Sequence, residues 1–325
     1  MIPEQAGITT RRAAARARRF AHTVWPGIQP PAVDHIERNE AFGRDRRLAL
    51  LHVPKSAGNS IAVALSEALR DRSWSPYWLD PTLFGSMRSE PIPPNVRGSV
   101  IREPLALRSY EVVSGHISLP ALLSGFDRAD VVLLVREPRS RVLSLYEYWR
   151  ALSPEQQSPE NTWPVVGRAA HLDFGEWLSD AVSAYQTDNV TIRMLLGSHQ
   201  AIPDDDFIAA EDLPLLTKLA IREARSIGWT DIVERGHAMW HGLSQRIGAE
   251  LTPANENVTG RSDGLATDAR VLFDPSTVEL LDARVAGDAA VWASVAVQRS
   301  VRKPALEADK AWMRRLGQTT LTPPT

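Results

Sequence analysis

Leu48-Ala49-Leu50-Leu51-His52-Val53, running into Pro54-Lys55-Ser56-Ala57-Gly58-Asn59-Ser60, is the stretch from which the rest of the chain is read. Its first six residues are a near-continuous apolar run, the pattern of a strand buried on both faces of a sheet. Ile61, Ala64, Leu65, Ala68 and Leu69 then recur at helical spacing. The segment reads as strand, tight loop, helix. Such a loop aims unpaired backbone N–H groups and the positive end of a helix dipole at one point, a natural seat for phosphate or sulfate. Lys55 is expected to set its ammonium on a bridging oxygen, and Gly58 to let the backbone approach closely. Ser56, Asn59 and Ser60 add hydrogen-bonding side chains.

A second unit follows the same plan. Val131-Val132-Leu133-Leu134-Val135 is an apolar strand, Arg136-Glu137-Pro138 a turn, and Val142, Leu143, Tyr146, Trp149 and Leu152 lie along one helical face. Two such units predict an α/β fold: a P-loop-like parallel sheet with helices on both faces. Residues 72–110, rich in Pro, Ser and Arg, read as loop, and a β-like piece at 110–114 leads into Gly115-His116. Beyond residue 170 the chain turns mostly helical, with periodic segments at 174–182, 213–225, 232–247 and 278–297 and a short strand expected at 226–229.

The 325 residues, 43% hydrophobic, suit one large domain at 48–300, flanked by a leader at 1–47 and a tail at 301–325. A net charge of −2 excludes a protein that coats nucleic acid, which needs a large basic surplus. With no cysteine there is no disulfide framework, thiolate metal site or cysteine nucleophile, a composition that fits a cytoplasmic protein. No apolar stretch approaches the ~18–20 residues of a membrane span. Arg11, Arg12, Arg16, Arg18 and Arg19 give the leader a basic cluster. It interrupts what would otherwise look like a twin-arginine signal, and reads as a solvated arm able to touch anionic lipid or an acidic acceptor.

His52-Val53-Pro54-Lys55-Ser56-Ala57-Gly58-Asn59-Ser60 resembles the H-[IV]-P-K-[TS]-A-G-[TN]-S loop of the carbohydrate sulfotransferases that use 3′-phosphoadenosine-5′-phosphosulfate (PAPS), the group that includes heparan sulfate 2-O-sulfotransferase. In that family the loop cradles the 5′-phosphosulfate, which implies that residues 55–60, Ala57 among them, bind PAPS. The order differs from the triphosphate loop GxxxxGK[ST], in which lysine follows glycine; here Lys55 precedes Gly58. Residues 135–146 resemble the family's R-[DE]-P-x-x-R-x-x-S-x-Y element, which implies that Arg136 and Ser144 hold the 3′-phosphate. A guanidinium fork suits that task. Arg141, one turn before Ser144, is equally readable as a surface or ion-pair arginine.

Fainter likenesses run through Asp188-Asn189 to Gly197, through Ile227-Gly228-Trp229-Thr230-Asp231, and through Asn257 to Arg261, whose arginine the likeness places near the cofactor. The resemblance covers residues 48 to 262.

Transfer to a hydroxyl needs a general base, and a pKa near neutrality is favoured. A lone histidine is more often structural, but Gly115-His116 resembles the family's G-H element, which implies that His116 is the base. Glu103 and Glu111 stand in reserve. His52 reads as a packed residue at a strand end. Trp74 and Trp78, in the irregular stretch, are candidates to line an acceptor groove, and Trp229 to stack on adenine. The resemblance thus implies PAPS as donor, PAP as product, no required metal and a carbohydrate or other hydroxyl-bearing acceptor. A nucleotide-dependent kinase and a PAPS-binding protein without turnover are the alternatives.

Overall fold

The computed structural model describes residues 46–83, 97–101, 103–158, 164–197, 199–253, 267–268, 271–272, 274–318 and 321–322. The leader as far as residue 45 and Arg261 lie outside these. Five strands, β1 (Leu48–His52), β2 (Trp78–Leu79), β3 (Val112–His116), β4 (Val131–Val135) and β5 (Trp229–Ile232), form one parallel sheet in the order β2-β3-β1-β4-β5. β1 is central, with Leu51 beside Gly115 of β3 on one flank and beside Leu133 of β4 on the other. Every side chain of β1 and β4 is buried, as the unbroken apolar runs require.

Helices cover both faces. In chain order they are α1 (Gly58–Ala68), α2 (Leu119–Leu123), α3 (Pro138–Arg150), α4 (Pro164–His171), α5 (Phe174–Ser179), α6 (Ala184–Thr187), α7 (Val190–Leu196), α8 (Leu213–Ser226), α9 (His237–Ile247), α10 (Pro275–Gln298) and α11 (Pro304–Gln318). The two-residue period of the strands sorts them between two cores. Leu48, Leu50, Val112, Val132 and Leu134 point one way, to Ile61 and Leu65 of α1 and Met239 and Leu243 of α9. Ala49, Leu51, Val113, Leu133 and Val135 point the other way, into a larger core with Val142, Tyr146, Ile192, Leu216, Val291 and Trp292. No helix among the described residues is long and apolar enough to cross a membrane.

Three departures from the sequence reading have local causes. The stretch at 72–110 contains a strand, because Trp78 and Leu79 pair with Gly115 and His116 through backbone alone, leaving no periodic signal in so short a run. β5 starts at Trp229 instead of ending there, and the helix expected from Ile232 starts at His237. Its polar members hide it: Thr230 donates to the Ala224 carbonyl, and Asp231, fully buried, pairs with Arg235. The C-terminal segment beyond residue 300 carries α11, which joins the large core through Trp312 and Leu316 and pairs Asp309 with Arg139 of α3 at 3.1 Å.

The Asp188–Gly197 stretch does structural work. Asn189, at φ 47°, accepts from Gly287 and Asp288 N–H groups, Asp288 accepts from Thr191 and Ile192, and Arg193 pairs with Asp188 at 2.9 Å. This buried network pins α7 to α10.

Candidate active site

The carboxyl ends of β3, β1 and β4, neighbours in the sheet, deliver His116, the 53–57 loop and Arg136 side by side. Adjacent strands lie ~4.8 Å apart, and in open α/β sheets this edge is where ligands bind. Arg136 crosses between strands: its Nη1 donates to the Lys55 carbonyl at 3.1 Å, tying the two loops together. Its guanidinium lies in the field of Glu234, half-buried, and Glu137, buried. Glu137 caps α3 by accepting from the Arg139 and Ser140 backbone N–H groups.

The loop is strained where glycine is missing. Lys55 (φ 61°) and Ala57 (φ 60°) both adopt the left-handed conformation, which costs a non-glycine residue on the order of 1 kcal/mol or more and concentrates at functional sites. Ala57 precedes the first residue of α1 with no side-chain cap, so the leading N–H groups of that helix have no partner from the cap side chain. Ser56 is 1% exposed, and its Oγ has no hydrogen-bond partner among the described residues. A buried hydroxyl without a partner at a bare helix start fits an oxyanion ligand.

Gly58 is closely packed on its other side. A Cβ there would fall on the His52 imidazole, so the missing side chain is what lets the ring lie against the start of α1. Gly58→Ala should destabilise the fold by about 1–3 kcal/mol through overpacking. Urea unfolding of Gly58→Ala, His52→Ala and the double variant checks it, the expected sign being partial recovery in the double variant.

Lys55 extends its Nζ to 4.0 Å from the Tyr148 ring of α3. Burial, then the charges of Arg136 and Arg315, lower its pKa to about 8. Arg315 reaches this neighbourhood from α11, ion-paired with Glu147, the residue before Tyr148. Sequence reading missed both Tyr148 and Arg315. Tyr148 sits one turn past Ser144 on a face already assigned, whereas Arg315 belongs to a segment with no likeness to any motif, and only packing of α11 on α3 brings it in. Ser144 is buried on α3. Arg141 is neither a surface residue nor a satisfied ion pair: it is 1% exposed, donates to the Gln186 carbonyl at 3.2 Å, and its Nε and Nη1 have no partner among the described residues.

His116 Nδ1 lies 2.8 Å from the His52 carbonyl. A carbonyl only accepts, so Nδ1 carries the proton and Nε2 holds the lone pair, the tautomer a base requires. Burial lowers the His116 pKa to about 4, partly opposed by that hydrogen bond, so the ring is neutral at pH 7. The His52 ring is packed 4.8 Å from it, and the Tyr77 ring stands nearly perpendicular to it at 5.5 Å, centroid to centroid in both cases.

The reserve bases fare differently. Glu111 precedes β3 at the opposite end of the sheet and accepts from the Ser73 N–H and hydroxyl, so it has no access to the site. Glu103 is exposed, two residues past Ile101, whose N–H bonds to Leu79 beside His116. Trp74 donates to the Leu69 carbonyl and bridges to Val112, again at the far end, and Trp78 packs on the large core within β2. Trp229 is buried under α9 with Arg299 over its ring at 5.2 Å, which leaves no face for adenine.

The site therefore combines an oxyanion seat, two cations from adjacent loops and a neutral base with its lone pair free. Compared with protein-family models, with curated proteins and with solved structures, the chain finds no match in any of the three.

Proposed function

We propose that this chain is a sulfotransferase that takes a sulfuryl group from PAPS and delivers it to a hydroxyl of a carbohydrate or similar glycoconjugate. The observation that carries the reading is the convergence of Lys55, Arg136 and His116 on one sheet edge. Cations and a base have opposite uses, and their meeting suits an anionic donor beside a hydroxyl acceptor. In this P-loop-like reading of the sheet, PAPS is the donor substrate and supplies an activated sulfur–oxygen bond.

The backbone and side chains of 55–60 hold the phosphosulfate end. Arg136 and Ser144 take the 3′-phosphate, in the roles the sequence resemblance implies. As the acceptor oxygen bonds to sulfur, the bond from sulfur to the bridging oxygen breaks, and its electron pair leaves on that oxygen. Lys55 neutralises the charge gathering there. His116 Nε2 takes the acceptor's proton, and PAP is left as product.

Removing a charged hydrogen bond costs ~1.5–3 kcal/mol, so Arg136→Ala should weaken PAP binding roughly ten- to a hundredfold and 5′-AMP binding far less. Calorimetry with PAP, 5′-AMP and magnesium ATP checks this. Equal losses for PAP and AMP would remove Arg136 from the 3′-phosphate. The kinase alternative rests on Ser56, a hydroxyl directly after Lys55, and preferential binding of magnesium ATP would favour it. Incubation with sulfur-labelled PAPS and a panel of glycans, glycolipids and phenols identifies the acceptor, and PAP binding without label transfer would mark a binding protein.

A further inference from the structure

His52 closes β1, and the alternation along that strand turns its side chain toward α1, the same face to which His116 turns from β3. The residue is 5% exposed, and its ring lies against Gly58 with the Cδ2–Nε2 edge nearest the position a Cβ would take there. Gly58 is the first residue of α1, so this edge borders the oxyanion seat. At the other edge, Nδ1 is 3.1 Å from the Tyr77 hydroxyl. Burial holds His52 neutral, with the nearby His116 and Lys55 acting in the same direction.

We propose that His52 is a second catalytic histidine: the Tyr77 hydroxyl donates to Nδ1, which leaves the proton on Nε2, and that N–H donates to an oxygen of the sulfuryl group seated at the start of α1. The inference rests on the sulfotransferase reading and adds a donor to it. The two imidazoles then divide the work through opposite tautomers. His116 is protonated on Nδ1 by its bond to the His52 carbonyl and accepts a proton at Nε2; His52 is protonated on Nε2 and keeps its proton throughout. The bond from acceptor oxygen to sulfur forms, the bond from sulfur to the bridging oxygen breaks, and the acceptor's proton goes to His116. His52 stabilises charge on sulfuryl oxygens during that exchange, as a fixed donor in a water-poor site does. Tyr77 is the positioning residue that sets the tautomer.

The tautomer is read without turnover. Long-range nitrogen–proton NMR of the histidine-labelled full chain should show His52 protonated on Nε2 and His116 on Nδ1, and addition of PAPS without acceptor should shift the His52 Nε2–H resonance more than PAP does. A His52 ring protonated on Nδ1 overturns the proposal. In kinetics, His52→Leu should lower kcat roughly ten- to a hundredfold with KM for PAPS moved severalfold at most, while His52→Gln, which keeps an N–H near the Nε2 position, should recover most of the loss. Thermal unfolding of both variants separates loss of fold from loss of the donor. A folded His52→Leu with wild-type kcat overturns the role of His52 alone, as does a folded His52→Gln that falls as far as His52→Leu. A wild-type chain that binds neither PAP nor PAPS overturns the sulfotransferase reading and His52 with it.

Discussion

Lys55→Ala should lower turnover by about 10²–10³, the scale for losing one preorganised electrostatic contact to a developing charge, with a much smaller change in PAP affinity. The expectation follows from how the ammonium is held. It is drawn down to a pKa of about 8 by burial and by Arg136 and Arg315, and it rests on the Tyr148 ring instead of on a carboxylate. A cation so placed has little to lose by turning to an anion. Lys55→Arg should fail as well, because a planar fork does not replace a compact ammonium, and the left-handed backbone at Lys55 fixes where the side chain starts. Steady-state kinetics with the true acceptor decides it, and an unchanged kcat would remove Lys55 from the chemistry.

The same pKa predicts an alkaline limit. The ammonium is lost as pH rises through about 8 in the free enzyme, so kcat/KM should fall there. Bound donor anion favours the charged form, so in kcat the limit should move upward.

The strand–loop–helix units were legible because burial on both faces leaves an unbroken apolar run and the following helix repeats at 3.6 residues. Leu48–His52 with α1, and Val131–Val135 with α3, carry both signals, and parallel pairing of their strands then places Lys55 and Arg136 together without any further information. What stayed hidden has no local period. β2 is two residues long and held by backbone bonds, β5 satisfies Thr230 and Asp231 with side chains distant in sequence, and Arg315 reaches the site only because Trp312 and Leu316 bury α11 on the large core. The irregular stretch misled in the opposite direction: Trp74 and Trp78 looked available for an acceptor but are engaged by Leu69 and the core, whereas Tyr77 between them holds His52.

His116→Ala should keep PAP affinity within a fewfold and lose about 10²–10⁴ in turnover, since a base acts in the transition state and not in donor binding. Three features set this expectation. The carbonyl of His52 forces the Nδ1–H tautomer, so the Nε2 lone pair is free. Gly115 admits the Trp78 carbonyl where a Cβ would collide with it, which lets β2 pair alongside and fixes the end of β3 from which His116 projects. The ring lies at the end of β3, one strand away from the Lys55 loop that follows β1.

An unperturbed imidazole would make activity rise with pH near 6.5. Burial moves the His116 pKa to about 4, so the rise in kcat/KM should fall near that lower value. The sign is that of a base: protonated below about 4 the ring cannot accept, and above it the lone pair is available. Together with Lys55 this predicts a plateau between about pH 4 and pH 8. In His116→Ala the acid limb should disappear while the alkaline limb stays, a separation that a merely structural histidine would not produce. If the folded variant keeps both limbs and near-wild-type turnover, the base lies elsewhere, and Glu103 is the carboxylate to replace next, because Glu111 is held by Ser73 at the far end of the sheet.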